Sequence, residues 1–192
     1  SEKHGAPIHM HIDETAFEVS ESLRLYGMRP VERLARLGII NDRLISVHTV
    51  HPDDREIERL AQAGASVAHC PSSNLKLASG FAPIAKMMQK GINIAIGTDS
   101  VASNDKLDML AETRLAAMLG KTVANDTTAM KVADLLYAAT MGGAKALGWD
   151  DRIGSIEAGK DADLIAVDLG ATDCIPISDA ASQLLYSAGR ED

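Results

Sequence analysis

Four side chains are spaced so that they could do chemistry together: His11, Glu14, His48 and Asp99. In His11-Ile12-Asp13-Glu14 an imidazole ends an apolar strand pattern, and a carboxylate follows three residues later, where the chain turns away. One group can hold a metal while the other moves protons. His48 follows a second apolar run. Gly97-Thr98-Asp99-Ser100 ends a fourth with an acid beside a glycine, which suits a carboxylate that ligates a metal or orients water. An aspartate after a strand also caps helices, so the reading rests on its neighbours. Five of the six histidines, His9, His11, His48, His51 and His69, fall at or just past predicted strand ends. That edge is where α/β folds build their sites. Several imidazoles gathered there with an acid favour a metal over inert polar packing.

Three neighbouring features leave alternatives open. His9 and His11 share a strand face because side chains alternate. The pair is therefore either a bidentate metal clamp, or one ligand above a hydrogen-bonded polar plug. Cys70 is a weaker ligand candidate, since adjacent strand residues point to opposite faces. The run His69-Cys70-Pro71-Ser72-Ser73-Asn74-Leu75-Lys76-Leu77 is dense in small polar groups. It suits hydrogen bonding to a polar ring, or it is an ordinary turn cluster. The sequence has no glycine-rich dinucleotide or phosphate loop, no Gly-x-Ser-x-Gly elbow and no His-Glu-x-x-His helix. The Pro-Cys-x-x-Cys signature of the small zinc nucleobase deaminases is also missing.

Short apolar runs at 8–12, 44–47, 66–68 and 92–96 read as strands, each followed by a helical pattern. Val19, Leu23 and Tyr26 mark the first helix, and Pro30 starts a second that stops at Gly38. Pro52-Asp53-Asp54 starts a third with Ile57 and Leu60 inward, ending near Gly64. Another covers 83–88 and stops at Gly91, and Leu107, Leu110, Leu115 and Met118 mark the next. Residues 130–137 and 140–147 read as two further helices, 153–160 as turns and 164–167 as an apolar strand; 172–192 carry few signals. Alternating strand and helix predicts an α/β fold with a parallel sheet. Four βα units are half of an eight-stranded barrel; an open doubly wound sheet is the alternative.

The chain has 192 residues, 46% apolar and 3% aromatic, which fits one globular unit with an aliphatic core. A net charge of -8 without a basic cluster argues against nucleic-acid binding. No apolar run approaches the roughly 20 residues that span a bilayer. Cys70 and Cys174 show no disulfide spacing, which suits a reducing, cytoplasmic location. The opening residues lack an export-signal pattern. With no initiator Met and a strand close to residue 1, the natural chain is expected to begin upstream.

His11-Ile12-Asp13-Glu14-Thr15, Ser46-Val47-His48, the run 69–77, and Gly97-Thr98-Asp99-Ser100-Val101-Ala102-Ser103-Asn104 occur in an order that resembles the amidohydrolase superfamily. Within it they are similar to the 5-methylthioadenosine/S-adenosylhomocysteine deaminases and their chlorohydrolase relatives. Residues 142–148 through 153–164 resemble that superfamily's return from barrel to β-sandwich. The resemblance covers nearly the whole chain. It implies strands 5–8 of a (β/α)8 TIM barrel over 1–148 and the start of a C-terminal β-sandwich segment over 149–192. It further implies one Zn2+ per site, with Fe2+ or Mn2+ also compatible. His11 becomes the fifth-strand ligand, Glu14 the proton shuttle, His48 the sixth-strand histidine at the metal and its water, and Asp99 the eighth-strand ligand and base. Glu14, His48, His69, Asn74 and Ser103 become substrate contacts. The implied activity is hydrolytic deamination of an adenine nucleoside, a small-molecule substrate, with release of ammonia. A triazine-type chlorohydrolase or a guanine or cytosine deaminase is the alternative. The family's first-strand His-x-His pair is absent from these residues. An inactive fragment or scaffold, a homo-oligomer, or a chain completed by an N-terminal half are therefore further expectations.

Overall fold

A computed structural model describes residues 5–172 and 174–191. Its elements are β1 (Ile8–Ile12), α1 (Ala16–Tyr26), α2 (Pro30–Arg36), β2 (Leu44–His48), α3 (Asp54–Gln62), β3 (Ser66–His69), α4 (Pro71–Lys76), α5 (Ile84–Gln89), β4 (Asn93–Ile96), α6 (Val101–Asn104), α7 (Met109–Ala124), α8 (Val132–Tyr137), a π-helical stretch (Ala138–Gly142), α9 (Gly143–Leu147) and α10 (Ala180–Tyr186). The four strands form one parallel sheet in sequence order.

Strand pairing sorts the side chains into two layers. Ile8, Ile12, Leu44, Val67, Ile94 and Ile96 join Ile57, Leu60, Ile84, Met87, Ala116, Ala117 and Leu135 of the helices in one aliphatic core. Burying each of the Ile, Leu, Val and Met side chains is worth about 1.5–3 kcal/mol. On the other face the register aligns His9 with Ile45 and Ser66, and His11 with Val47 and Ala68. All four strands end their ladders at the same edge, so the residues that follow them emerge together.

Local chemistry explains the helix starts. Asp53 caps α3 by accepting from the Glu56 amide while Glu56 reaches back to the Asp53 amide, a capping box. Thr15 caps α1 and Asp108 caps α7 in the same sense. Some expected faces differ. In α1 only Val19 of the three expected apolar residues is buried, and Tyr26 lies under the Arg33 guanidinium, 3.7 Å from its ring centroid. Leu107 precedes α7, which buries the small residues Thr113, Ala116, Ala117 and Gly120 and leaves Met118 outward. Small side chains let this helix lie close to its neighbours. An added Cβ at Gly120 would sit 2.5 Å from Met130 Cγ.

The two helices expected at 130–137 and 140–147 form one continuous run joined by the π stretch. There the Asn93 side-chain amide donates to the Gly142 carbonyl at 2.9 Å. A Cβ on Gly142 would fall 2.1 Å from the Ile94 carbonyl oxygen, so only glycine allows this approach to β4. Beyond Gly148, turns fill 153–160 as expected, and Lys160 Nζ donates to the Asp150 carbonyl and Ser155 Oγ. The strand expected at 164–167 does not form: Leu164 and Ile165 are 59% and 83% exposed, and no strand follows Ile96 among the described residues. An apolar run without a pairing partner cannot close a ladder. The described residues of 149–192 hold turns and α10. Asp179 caps α10 through the Ser182 amide, and Leu185 buries fully in the helical core.

Candidate active site

Each element of the site begins where a strand stops. After Ile12 the chain turns through Asp13, whose φ of 53° is left-handed. The amides of Asp13 and Glu14 both donate to the Glu18 carboxylate, at 3.1 and 2.8 Å, and the Glu18 amide donates to Thr15 Oγ1. The first turn of α1 thereby fixes the peptide that carries Glu14. Its carboxylate lies 3.6 Å from His11 Nδ1 and 3.9 Å from His48 Nε2.

His48 and Thr49 also take left-handed φ values, 69° and 46°. Such backbone costs of order 1–3 kcal/mol per residue and persists where surrounding contacts over-determine it. Those contacts are present: the Val50 and His51 amides both donate to the Asp13 carbonyl, and the Ser46 and Thr49 hydroxyls meet at 2.8 Å. The strained turn points the His48 ring back over the sheet end. His48 is completely buried, with Nδ1 2.8 Å from Oδ1 of the Asn74 side-chain amide. An amide oxygen only accepts, so Nδ1 carries the proton and Nε2 keeps a bare lone pair. That Nε2 has no hydrogen-bond partner among the described residues.

Asp99 is the fourth left-handed residue at the strand ends, with φ 61°. Its Oδ2 accepts from Ser73 Oγ at 2.6 Å and Ser103 Oγ at 2.7 Å. Burial raises its carboxyl pKa, but the two serine hydroxyls, the Ser100 amide and His48 outweigh burial and hold it below the usual carboxylate range. His48 Nε2 and Asp99 Oδ2 are 3.9 Å apart, too far for a hydrogen bond. The His11 and His48 rings stand edge to face, 4.5 Å between centroids. Donor atoms of His11, His48 and Asp99 all lie within 4.8 Å of one another. A buried nitrogen lone pair without a partner, facing a second imidazole and a carboxylate held in its anionic form, is a donor set that fits a divalent cation.

The other expected site residues fall elsewhere. His9 is exposed, two residues back along β1, and is not among the converging donors. His69 aligns with Ile96 of the helix-facing core and lines a small cavity with Leu119, Gly120 and Val123 of α7. Burial, aided by His48, pushes its pKa down to about 3, so it stays neutral. Period-two alternation places its side chain on the helix side of the sheet. Asn74 is buried, and its Oδ1 lies against His48 Nδ1. Ser103 donates to Asp99 instead of facing an open pocket. Cys70 is a buried thiol whose pKa burial raises to about 12, with Asp99 and Glu112 adding to the rise; it supplies no thiolate ligand. His51 Nε2 lies 2.6 Å from the Ser79 carbonyl oxygen, outside the cluster. The serine donor Ser73 and the backbone anchor Glu18 went unforeseen. Ser73 stood inside the polar run, but a run does not reveal which member turns toward the acid.

Asp13 is a further residue the motif reading passed over. It is fully buried and neither carboxylate oxygen has a hydrogen-bond partner among the described residues. Burial first, then the Glu56 carboxylate, raises its pKa to about 8 against the lowering pull of Arg29. The folded chain thus keeps a proton that the unfolded chain releases near its ordinary pKa of 3.8. Stability at this residue is greatest below that value and falls as pH rises toward about 8. Asp13→Asn is expected to flatten that decline; urea unfolding of both proteins at pH 5 and pH 8 measures it, and equal slopes would refute the assignment.

A family model described as the amidohydrolase family matches residues 1–188. This chain belongs to the amidohydrolase family. It is 45% identical over 182 residues to a 5-methylthioadenosine/S-adenosylhomocysteine deaminase of Teredinibacter turnerae, covering 95% of this chain and 41% of that protein. Among solved structures it resembles an adenosine deaminase from Xanthomonas campestris with bound zinc, at TM-score 0.97 and 54% identity over 98% of this chain and 43% of that one. It also resembles the atrazine chlorohydrolase TrzN from Arthrobacter aurescens complexed with zinc, at TM-score 0.90 and 31% identity over 97% of this chain and 42% of that one. The chain spans about two fifths of the length of the curated relatives it matches. Within this amidohydrolase, β1–β4 and their helices form part of a (β/α)8 barrel, which sets aside the open doubly wound sheet. Among the described residues no helix is long and apolar enough to cross a membrane.

Proposed function

We propose that His11, His48 and Asp99 hold one divalent cation, zinc, in a protein that hydrolytically deaminates the adenine ring of a small nucleoside of the 5-methylthioadenosine/S-adenosylhomocysteine type. The observation that carries this reading is the bare, buried His48 Nε2 facing His11 and Asp99. Relatives named for that activity at 45% identity support the substrate class. Zinc in such a site makes water a nucleophile at neutral pH.

The chain's own groups supply the rest. Asp99, an anion held by the Ser73 and Ser103 hydroxyls, would both ligate the cation and take a proton from the attacking water. His48, with Nδ1 pinned by Asn74, keeps one tautomer and one orientation throughout. Glu14 gives a proton to the ring nitrogen, which makes the adjacent carbon electrophilic. Water adds there, Asp99 passes the proton it took to the amino group, the carbon–nitrogen bond breaks to release ammonia, and the hydroxyl proton returns to Glu14 to leave a ring carbonyl beside the protonated ring nitrogen.

A second reading, displacement of chloride from a triazine ring, draws on the likeness to atrazine chlorohydrolase. The full-length protein is expected to release ammonia from 5-methylthioadenosine faster than chloride from a chloro-triazine. Parallel ammonia and chloride assays decide between them, and chloride release in excess overturns the deaminase reading.

A further inference from the structure

Glu112 is 1% exposed, sits on α7 and points away from solvent toward the loops after β3 and β4. One oxygen accepts from the Ser72 amide at 3.1 Å, the other from the Asn104 side-chain amide at 2.7 Å. Asn104 also donates to the Thr98 carbonyl at 2.8 Å. Each partner adjoins a residue that shapes the Asp99 carboxylate: Ser72 precedes Ser73, Asn104 follows Ser103, and Thr98 precedes Asp99 itself. A buried carboxylate is costly to place without donors, and here both oxygens are spent on this one junction.

We propose that Glu112 is a positioning residue for Asp99. By clamping α4 and α6 together from behind, it holds the Ser73 and Ser103 hydroxyls on Asp99 Oδ2 and so fixes how the carboxylate faces His48 and His11. This rests on the reading of Asp99 as a metal ligand. Lys76 also links the two loops, through the Ala102 carbonyl and Asp105, but at an exposed rim away from the serines. A purely structural clip would stabilise the fold without tuning the ligand, and the two roles separate by experiment.

In the full-length protein, Glu112→Gln keeps the shape but turns one acceptor into an NH2 group that faces a donor. Zinc affinity, measured by chelator competition, is expected to fall about 10–100-fold, the range for groups that orient a ligand. The visible spectrum of the cobalt-substituted protein is expected to shift with it. Paired with Ser73→Ala, the losses are expected to be less than additive, because both act through the same oxygen. Zinc affinity within about twofold of wild type with an unchanged cobalt spectrum overturns the proposal, as do strictly additive losses. A lower unfolding temperature of the zinc-free protein without a change in affinity also overturns it, leaving a structural clip. If Glu112→Gln does not fold, Asn104→Ala cuts the same link from the other side, and unaltered zinc affinity there is equally decisive against it. Wild-type protein that binds no zinc overturns the metal reading itself, a failure distinct from a variant that binds as well as wild type.

Discussion

Glu14→Gln in the full-length protein is expected to lower ammonia release at least ~10²-fold while bound zinc stays stoichiometric. The amide is isosteric with the carboxylate, so it fills the same space beside His11 and His48. It cannot give up and regain a proton near neutral pH, and that is the work assigned to Glu14. The backbone is unaffected, because the anchors at Asp13 and Glu14 are amides bound to Glu18 and do not involve the Glu14 side chain. Steady-state ammonia release together with metal analysis measures the outcome. An active variant refutes the proton-transfer role, and one that loses zinc makes Glu14 a ligand.

Asp99→Ala is expected to act one step earlier, on the metal. It removes the anionic donor, strands the Ser73 and Ser103 hydroxyls and leaves His48 Nε2 facing the His11 ring without the Asp99 charge. Loss of a direct ligand exceeds the ~10–100-fold seen when an orienting group is lost. Zinc affinity should therefore fall more than ~100-fold, and turnover should fall below detection because the base is gone as well. Dialysis against a chelator followed by metal analysis tests this. Stoichiometric zinc after dialysis contradicts the assignment of Asp99 as a ligand.

Much of the scaffold was legible in the sequence because parallel strands buried in an α/β layer appear as short apolar runs. The runs at 8–12, 44–47, 66–68 and 92–96 all became paired strands, with β2 and β3 extending one residue to His48 and His69. The gathering of His11, Glu14, His48 and Asp99 at one edge was legible for the same reason: parallel strands deliver their last residues to one side. Direction was harder. Whether His69 looks into the barrel or outward depends on the register with Ile96, a partner 27 positions away. Asn74 and Ser103 were expected as substrate contacts. Their role in holding His48 and Asp99 depends on distances between loops that local patterns do not encode. Residues 164–167 have the composition of a strand, but a strand needs a neighbour, and none forms among the described residues. Conversely, α10 was hidden because its segment has only one deeply buried anchor, Leu185, behind an Asp179 cap that resembles any turn aspartate.

The left-handed backbone at Asp13, His48, Thr49 and Asp99 has an evolutionary consequence. Glycine occupies that conformation without steric cost, so glycine at any of these four positions would ease the local backbone while deleting a side chain at or beside the site. Screens that reward heat resistance alone would therefore be drawn toward variants that keep the barrel and forfeit the chemistry. At His48 and Asp99 the easier backbone would come at the direct loss of a proposed ligand.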